Sequence, residues 1–118
     1  MQVLVRGIHV DVDEGLREFV ELHLRRALDR IFQQQAVQVE VHLVDTNGAV
    51  KGGMDKEARV TLRVPGLPSI HVEEVSDDVR KAVTGAADRL ERSAKRWLDK
   101  HHHHAGGPSL ADVSREEP

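Results

Sequence analysis

The stretch VQVEVHL, residues 37–43, decides the fold, because its apolar and polar side chains alternate at every position. A period of two residues predicts a half-buried β-strand with one face toward a core and the other toward solvent. The same alternation recurs in residues 59–64 and in residues 70–75. Three such strands in succession predict an antiparallel meander with one polar face.

A helix is predicted before this meander. Asp13 is a suitable N-cap and Glu14 lies in the first turn, where the helix dipole favours an anion. Apolar residues then recur at helical spacing: Leu16, Phe19, Val20, Leu24, Ala27, Leu28 and Ile31. The short valine-rich segment from Gln2 to Arg6, which ends at Gly7, predicts a first strand ahead of this helix.

A second helix is predicted after the meander, with Ser76 as its N-cap and Asp77 and Asp78 in its first turn. Its apolar stripe consists of Val79, Ala82, Val83, Ala86, Leu90, Ala94 and Trp97. Gly85 lies in its interior, where glycine costs about 1 kcal/mol relative to alanine. A close packing contact at Gly85 is therefore expected.

The element order β-α-β-β-β-α predicts an α+β fold, a two-layer sandwich. We expect a four-stranded mixed sheet, because the first helix permits the first strand to pair in parallel with a meander strand. Both helices should cover the apolar face of the sheet. Residues 1–100 are predicted to form this domain, and residues 101–118, which are His-rich and then acidic, a disordered tail.

Composition narrows the class of protein. The chain of 118 residues is 39% hydrophobic and 31% charged, which is typical of a globular protein. It contains no cysteine, which excludes disulfides and a cysteine nucleophile. We expect neither a signal peptide nor a membrane-spanning helix, and a cytoplasmic location. The net charge of −3 argues against a strongly basic nucleic-acid binder but permits a local basic face.

The glycine-rich segment between the first two meander strands, residues 45–57, could suggest a phosphate-binding loop. Gly48 and Gly53 have the required spacing, but Met54 and Asp55 stand where lysine and a hydroxyl residue are needed. The segment also joins two strands and opens no helix, so no helix dipole is available for a phosphate. A flexible hairpin loop or a contact loop is favoured, with Lys51 and Lys56 as candidate charge donors.

No catalytic pattern is evident, and we expect no enzyme activity, no cofactor, no metal site and no small-molecule substrate. His23 is interpreted as a half-buried packing residue. His42 and His71 lie on the polar face of their strands and could approach each other, although exposed sheet residues are the favoured interpretation. The four histidines 101–104 could bind a transition metal, yet they are consecutive and lack the spacing of a preorganised site. Whether they are natural or a tag stays open.

Basic side chains concentrate near the ends of both predicted helices. In the last helix they are Arg89, Arg92, Lys95, Arg96 and Lys100, and in the first they are Arg25, Arg26 and Arg30. Cations at a helix C-terminus complement the dipole by about 0.3–1 kcal/mol each, so a solvated face is one interpretation. A surface for RNA or another polyanion is the other, and residue chemistry alone does not separate the two. Outward Arg59 and Arg63 favour the second slightly.

Several local motifs in this order resemble the ribosome hibernation-promoting factor and ribosome-associated inhibitor family, also called sigma-54 modulation proteins. The most specific is Leu16-Arg17-Glu18-Phe19-Val20 at the start of the first helix. Others are the alternating strand 37–43, Arg59-Val60-Thr61-Leu62, Ile70-His71-Val72-Glu73, and Asp88-Arg89-Leu90 in the final helix. The resemblance covers about residues 1–100 and is to the short form of the family.

The resemblance implies a cytoplasmic, non-enzymatic factor that binds the small ribosomal subunit and its rRNA in the channel used by mRNA and tRNA. Occupying that channel would inhibit translation and store idle ribosomes under stress. Affinity would come from cationic side chains on rRNA phosphates. The RNA-binding residues are then expected to be Arg25, Arg26, Arg30, Arg80, Arg89, Arg92, Lys95, Arg96 and Lys100, with Arg59 and Arg63 as weaker candidates. No membrane is implied as a partner.

Two alternatives stay open at this point. The first is a protein-binding regulatory module that has lost ribosome binding and uses the polar sheet face or the 45–57 loop. The second is a metal-responsive module that acts through the histidines of the tail.

Overall fold

The structure is a computed structural model that describes residues 1–32, 36–46 and 55–106, with side chains through residue 100. It contains one four-stranded sheet and two helices. In chain order the elements are β1 Gln2–Ile8, α1 Glu14–Leu28, β2 Gln38–Asp45, β3 Lys56–Arg63, β4 Ile70–Ser76 and α2 Val79–Gly106. The predicted order β-α-β-β-β-α is confirmed.

The sheet is mixed, as predicted, with the spatial order β1-β2-β3-β4. β1 and β2 are parallel and place Val5 beside Val41. The other pairs are antiparallel and continue this row through Val60 and Val72. All four valines are buried in one core under the helices. The alternating pattern therefore faces its apolar side toward α1 and α2, since burial of that face stabilises the sandwich.

α1 begins where the sequence predicted. The Asp13 side chain accepts a hydrogen bond of 2.8 Å from the Leu16 backbone N–H, which confirms Asp13 as the N-cap. Val20 and Leu24 lie on the buried face of the helix. Because each residue of a helix is rotated by a fixed angle from the one before, the start of α1 at Glu14 also sets the direction of Arg25 and Arg26 in its last turn.

α2 begins later than predicted, and Ser76 is not its cap. Ser76 is the last residue of β4. The Lys81 backbone N–H donates to the Asp78 carboxylate at 3.3 Å, and the Ala82 N–H donates to the Asp78 carbonyl at 3.0 Å. Asp78 is thus the N-cap. The strand could extend through Ser76 because residue 76 still pairs with Lys56 of β3.

The far end of α2 also differs from the prediction. The helix continues to Gly106, so residues 101–106 of the segment predicted as a disordered tail are helical in backbone. Residues 107–118 lie outside the described part of the chain. A helix from residue 79 to residue 106 is about 42 Å long, whereas the seven residues of β4 span about 23 Å. α2 therefore projects past the sheet.

The connection between β3 and β4 is the turn predicted from its prolines. Gly66 has a φ of +82°, and the Leu67 backbone N–H donates to the Val64 carbonyl at 3.0 Å. Most of the glycine-rich loop between β2 and β3, including Gly48, Lys51 and Gly53, lies outside the described residues. Among the residues described, no helix has the length and apolar character needed to span a bilayer.

Candidate nucleic-acid interface

An open groove of about 660 Å³ runs between the edge strand β4 and α2. Its helix wall carries Arg89, Arg92 and Arg96, which share one side of α2 because they are spaced by three and four residues. Its strand wall carries His71 and Glu73. We call this feature the β4–α2 groove. It gathers three of the arginines that the sequence singled out.

Arg89 is already occupied by a carboxylate within the protein. Its Nε lies 2.5 Å from Glu74 Oε1, and the Glu74 side chain is more buried than that of Arg89. Glu74 sits on the helix-facing side of β4, where it pairs in register with buried Ala58. The positive charge of Arg89 is therefore largely offset before any ligand approaches.

Arg92 and Arg96 are the open cations of the groove. Both side chains are exposed, and neither makes a hydrogen bond or ion pair within the described part of the chain. The Glu73 carboxylate opposite them accepts from His71 Nε2 at 3.0 Å. Guanidinium groups that keep all their donors free are well suited to phosphate or carboxylate oxygens. The groove can thus bind an anion.

His71 bridges a strand neighbour and a carboxylate. Because a carboxylate only accepts hydrogen bonds, His71 Nε2 donates to Glu73, and His71 Nδ1 shares a hydrogen bond of 3.0 Å with the Thr61 hydroxyl. The hydrogen bond from His71 holds the pKa of Glu73 below its ordinary value of 4.5. His42 does not approach His71, contrary to the expectation, since β3 separates their strands.

The remaining basic residues of α2 lie apart from the groove. Lys95 Nζ is 3.2 Å from Glu91 Oε2, one helical turn earlier. Arg80 lies at the opposite end of the helix, with its guanidinium carbon 4.8 Å from the centre of the Phe19 ring. Lys100 is half-buried near the projecting end of α2. Arg80 and Lys95 thus belong to other parts of the surface, whereas Lys100 follows Arg96 by four residues on the same side of α2.

Arg26 in the last turn of α1 and Arg30, which follows the helix, line a different cleft of about 170 Å³ between the two helices. Arg26 and Arg30 face Asp88 and Glu91 of α2 across it. Arg25 belongs to the same turn of α1 and is half-buried. Acidic residues opposite Arg26 and Arg30 make this cleft a poorer anion site than the β4–α2 groove, since like charges repel a phosphate.

His23, which also lines this cleft, packs against Phe19 with ring centroids 4.0 Å apart. Its Nδ1 lies 2.9 Å from the Phe19 carbonyl oxygen, so Nδ1 donates. The predicted packing role of His23 agrees with these contacts.

Two arginines on the outer face of the sheet pair with carboxylates of the protein itself. Arg63 donates to Glu40 across the sheet at 2.9 Å. Arg59 and Glu57 pair within β3 at 2.7 Å. The hydrogen bond and charge of Arg63 lower the pKa of Glu40 from its ordinary value of 4.5. Arg59 and Arg63 each have a carboxylate partner, so their guanidinium groups are less available to a ligand than those of Arg92 and Arg96.

Lys56 is committed to the base of the β2–β3 connection. Its Nζ lies 3.0 Å from Asp55 Oδ1 and 3.4 Å from Asp45 Oδ2. The hydrogen bond with Asp55 raises the pKa of Lys56 above 10.5. Lys56 was a candidate charge donor to a partner in the sequence analysis. In the structure, its ammonium group instead pairs with the buried carboxylate of Asp55. No cluster of three metal-ligating side chains occurs among the described residues.

Glu74 is the functional residue that sequence reasoning missed. Gly85, which lies against Glu74 in space, did indicate this site, because a glycine inside a helix predicts a close contact with another element. An ideal Cβ at Gly85 would lie 2.7 Å from Glu74 Cγ. The absent side chain makes room for Glu74, which then reaches Arg89.

Residues 3–102 match the family model described as "Sigma 54 modulation protein / S30EA ribosomal protein". A curated relative from Acinetobacter guillouiae, named "Ribosome hibernation promoting factor", is 29% identical over 104 residues, or 86% of this chain and 87% of that protein. A "Ribosome hibernation promotion factor" from Picosynechococcus sp. is 29% identical over 100 residues, but they cover only 50% of its length and 85% of this chain.

Solved structures share the fold. The Thermus thermophilus Protein Y N-terminal domain superposes with a TM-score of 0.67 at 27% identity, covering 82% of this chain and 99% of that one. A ribosomal subunit interface protein from Coxiella burnetii gives a TM-score of 0.65 at 22% identity, covering 84% and 99%, and shows the fold alone. With its family model matched along nearly the whole described chain, this protein belongs to the Sigma 54 modulation protein / S30EA ribosomal protein family.

Proposed function

We propose that this protein is a cytoplasmic, non-enzymatic hibernation factor that binds the small ribosomal subunit in the mRNA–tRNA channel under stress and inhibits translation. The family and the names of its relatives support a ribosomal role. The observation that carries the proposal is the β4–α2 groove, where Arg92 and Arg96 stand exposed and without a partner among the described residues. Two free guanidinium groups along an open groove match a phosphate backbone.

The remaining candidate RNA contacts act around this centre. Arg26 at the end of α1 and Arg30 just after it present a second cationic edge, and Arg80 lies at the start of α2. Lys95 and Lys100 extend the cationic side chains toward the projecting end of α2. Because A-form RNA is recognised mainly by shape and backbone, no base-specific contact is needed.

Sedimentation tests the proposal. The protein and purified small subunits are centrifuged together through sucrose at low salt and at high salt. We expect co-sedimentation at low salt and release at high salt, since each phosphate contact releases counterions. A protein that stays at the top of the low-salt gradient contradicts the proposal. Competition by a bound mRNA and initiator tRNA tests the channel, and undiminished binding to such filled subunits contradicts that location.

A matched pair of variants tests the groove. Arg92→Gln/Arg96→Gln removes two open charges, whereas Arg59→Gln/Arg63→Gln removes two charges that are already paired. Both variants lose the same net charge, so bulk electrostatics cancels between them. We expect the first to sediment less with small subunits than the second. Equal loss in both would show that the groove makes no specific contribution.

A protein partner on the outer sheet face is the second candidate function. Leu4, Ile8 and Val75 are exposed there, with 43%, 45% and 40% of their surface accessible. Pairing of Arg59 and Arg63 within the protein reduces the cost of covering their part of this face. Arg6, which lies between Leu4 and Ile8 on β1, has no such pair among the described residues. An affinity capture enriched in one non-ribosomal protein and unchanged by RNase would favour this function over ribosome binding.

A further inference from the structure

The acidic end of the chain can reach the β4–α2 groove. Residues 107–118, outside the described structure, carry Asp112, Glu116 and Glu117 against one cation, Arg115. Their charge is opposite to that of Arg92 and Arg96. The segment starts where α2 ends, at Gly106, and α2 is the helix that forms one wall of the groove.

Distances along the chain favour a return along the helix. Gly106 lies about 15 Å beyond Arg96 and about 21 Å beyond Arg92, at 1.5 Å per helical residue. An extended segment with the length of residues 107–118 spans at most about 40 Å. Asp112 falls about 20 Å along it, and Glu116 about 33 Å. If the chain reverses at Gly106-Gly107-Pro108, its carboxylates pass alongside both arginines.

Other basic sites fit this segment less well. Arg26 and Arg30 lie in a cleft that already contains Asp88 and Glu91. Arg59 and Arg63 are paired with Glu57 and Glu40 on the outer sheet face. Only the β4–α2 groove combines open guanidinium groups with the helix from which the segment emerges, among the sites that the described residues form.

We propose that residues 107–118 fold back along α2 and occupy the β4–α2 groove, where their carboxylates pair with Arg92 and Arg96. The segment then competes with external polyanions for the same two side chains. Its regulatory meaning rests on the proposed function, but the intramolecular contact does not. Exposed ion pairs are weak individually, so the contact is reversible and a strong polyanion displaces it.

A spin label tests the contact without any ribosome. The chain has no cysteine, so Val113→Cys gives a single attachment point in the acidic segment. We expect broadening of the backbone amide resonances of Arg92, Ser93 and Arg96, which recover when the label is reduced. Absent broadening at these residues, or equal broadening at Arg26 and Arg30, overturns the inference.

Two controls define the cause. Asp112→Asn/Glu116→Gln/Glu117→Gln in the labelled chain should abolish the broadening, and so should high salt, because both remove charge attraction. Persistent broadening in this variant, which has no acidic side chain left in the segment, contradicts a contact made by carboxylates. In a mixture of isotope-labelled native chain and spin-labelled chain without isotope, broadening would reveal contact between molecules and overturn the intramolecular version.

Competition gives a second readout. A chain that ends at Gly106 should bind a single-stranded oligouridylate roughly two- to fivefold more tightly than the full chain at low salt, the range expected from weak exposed pairs. In the Arg92→Gln/Arg96→Gln background the same truncation should change nothing. Equal affinities of the long and short chains overturn the competition. Broadening confined to the groove supports the intramolecular contact even if the protein does not sediment with small subunits. The contact and the proposed function can therefore be disproved independently.

Discussion

Glu74 of β4 packs against the backbone of Gly85 in α2, so closely that a Cβ at residue 85 would lie 2.7 Å from Glu74 Cγ. The same carboxylate then pairs with Arg89, one turn further along α2. A side chain at residue 85 would therefore displace Glu74 from this position. Glycine leaves room for the Glu74 carboxylate on the inner side of the edge strand β4.

Gly85→Ala tests this contact. Alanine should favour the helix by about 1 kcal/mol, yet its Cβ displaces Glu74, which is held by Arg89. We expect Gly85→Ala alone to raise the free energy of unfolding in urea by clearly less than this, because displacing Glu74 from Arg89 offsets part of the gain. In the Glu74→Ala background, where the obstacle is gone, the same substitution should give the full gain. A substitution that stabilises both backgrounds equally would show that Glu74 does not restrict residue 85.

Glu74→Gln should change the charge of the groove. Without the carboxylate, Arg89 becomes a third open cation beside Arg92 and Arg96. We expect tighter binding of single-stranded RNA at low salt and a steeper salt dependence, by up to about 0.7 in the slope of log K against log salt for one added phosphate contact. Filter binding over a range of salt concentrations measures it. An unchanged slope would mean that Arg89 does not face the ligand.

The position of the α2 cap can be measured directly. Asp78→Ala removes the side chain that accepts from Lys81 N–H, and N-cap loss costs about 0.5–2 kcal/mol. Ser76→Ala removes a hydroxyl at the end of β4, which donates a hydrogen bond to the neighbouring Asp77 carboxylate and to no backbone group of α2 among the described residues. We expect a clear fall in the urea midpoint for the first and almost none for the second. The reverse order would restore Ser76 as the cap.

Glu40 should titrate abnormally because of Arg63. The hydrogen bond and charge of Arg63 hold the pKa of Glu40 below 4.5, so the carboxylate stays ionised to lower pH in the folded protein. A depressed folded pKa contributes stability that is present above 4.5 and is lost as the pH falls through the folded value. NMR titration of the Glu40 carboxyl carbon measures this midpoint. We expect Arg63→Ala to move it back toward 4.5, and an unmoved midpoint would exclude the pair in solution.

Residue patterns alone determined the architecture of this protein. The period of two in residues 37–43, 59–64 and 70–75 identified the strands and their buried faces, because each side chain's face follows from its position in the strand. The apolar stripe of α1 and its N-cap Asp13 could also be recognised from residues three or four positions apart. These features could be predicted because they depend on neighbours a few residues apart in the chain.

The tertiary structure decided which charges are available. Arg89, Arg92, Lys95 and Arg96 are alike in sequence, but Glu74 offsets Arg89, Glu91 offsets Lys95, and only Arg92 and Arg96 stay open in the groove. The pairing of Glu74 with Arg89, like that of Glu40 with Arg63, depends on strand register and on how α2 crosses the sheet. Two charged side chains pair only if they lie close together in space. For residues far apart in the chain, that distance is known only once the whole fold has formed.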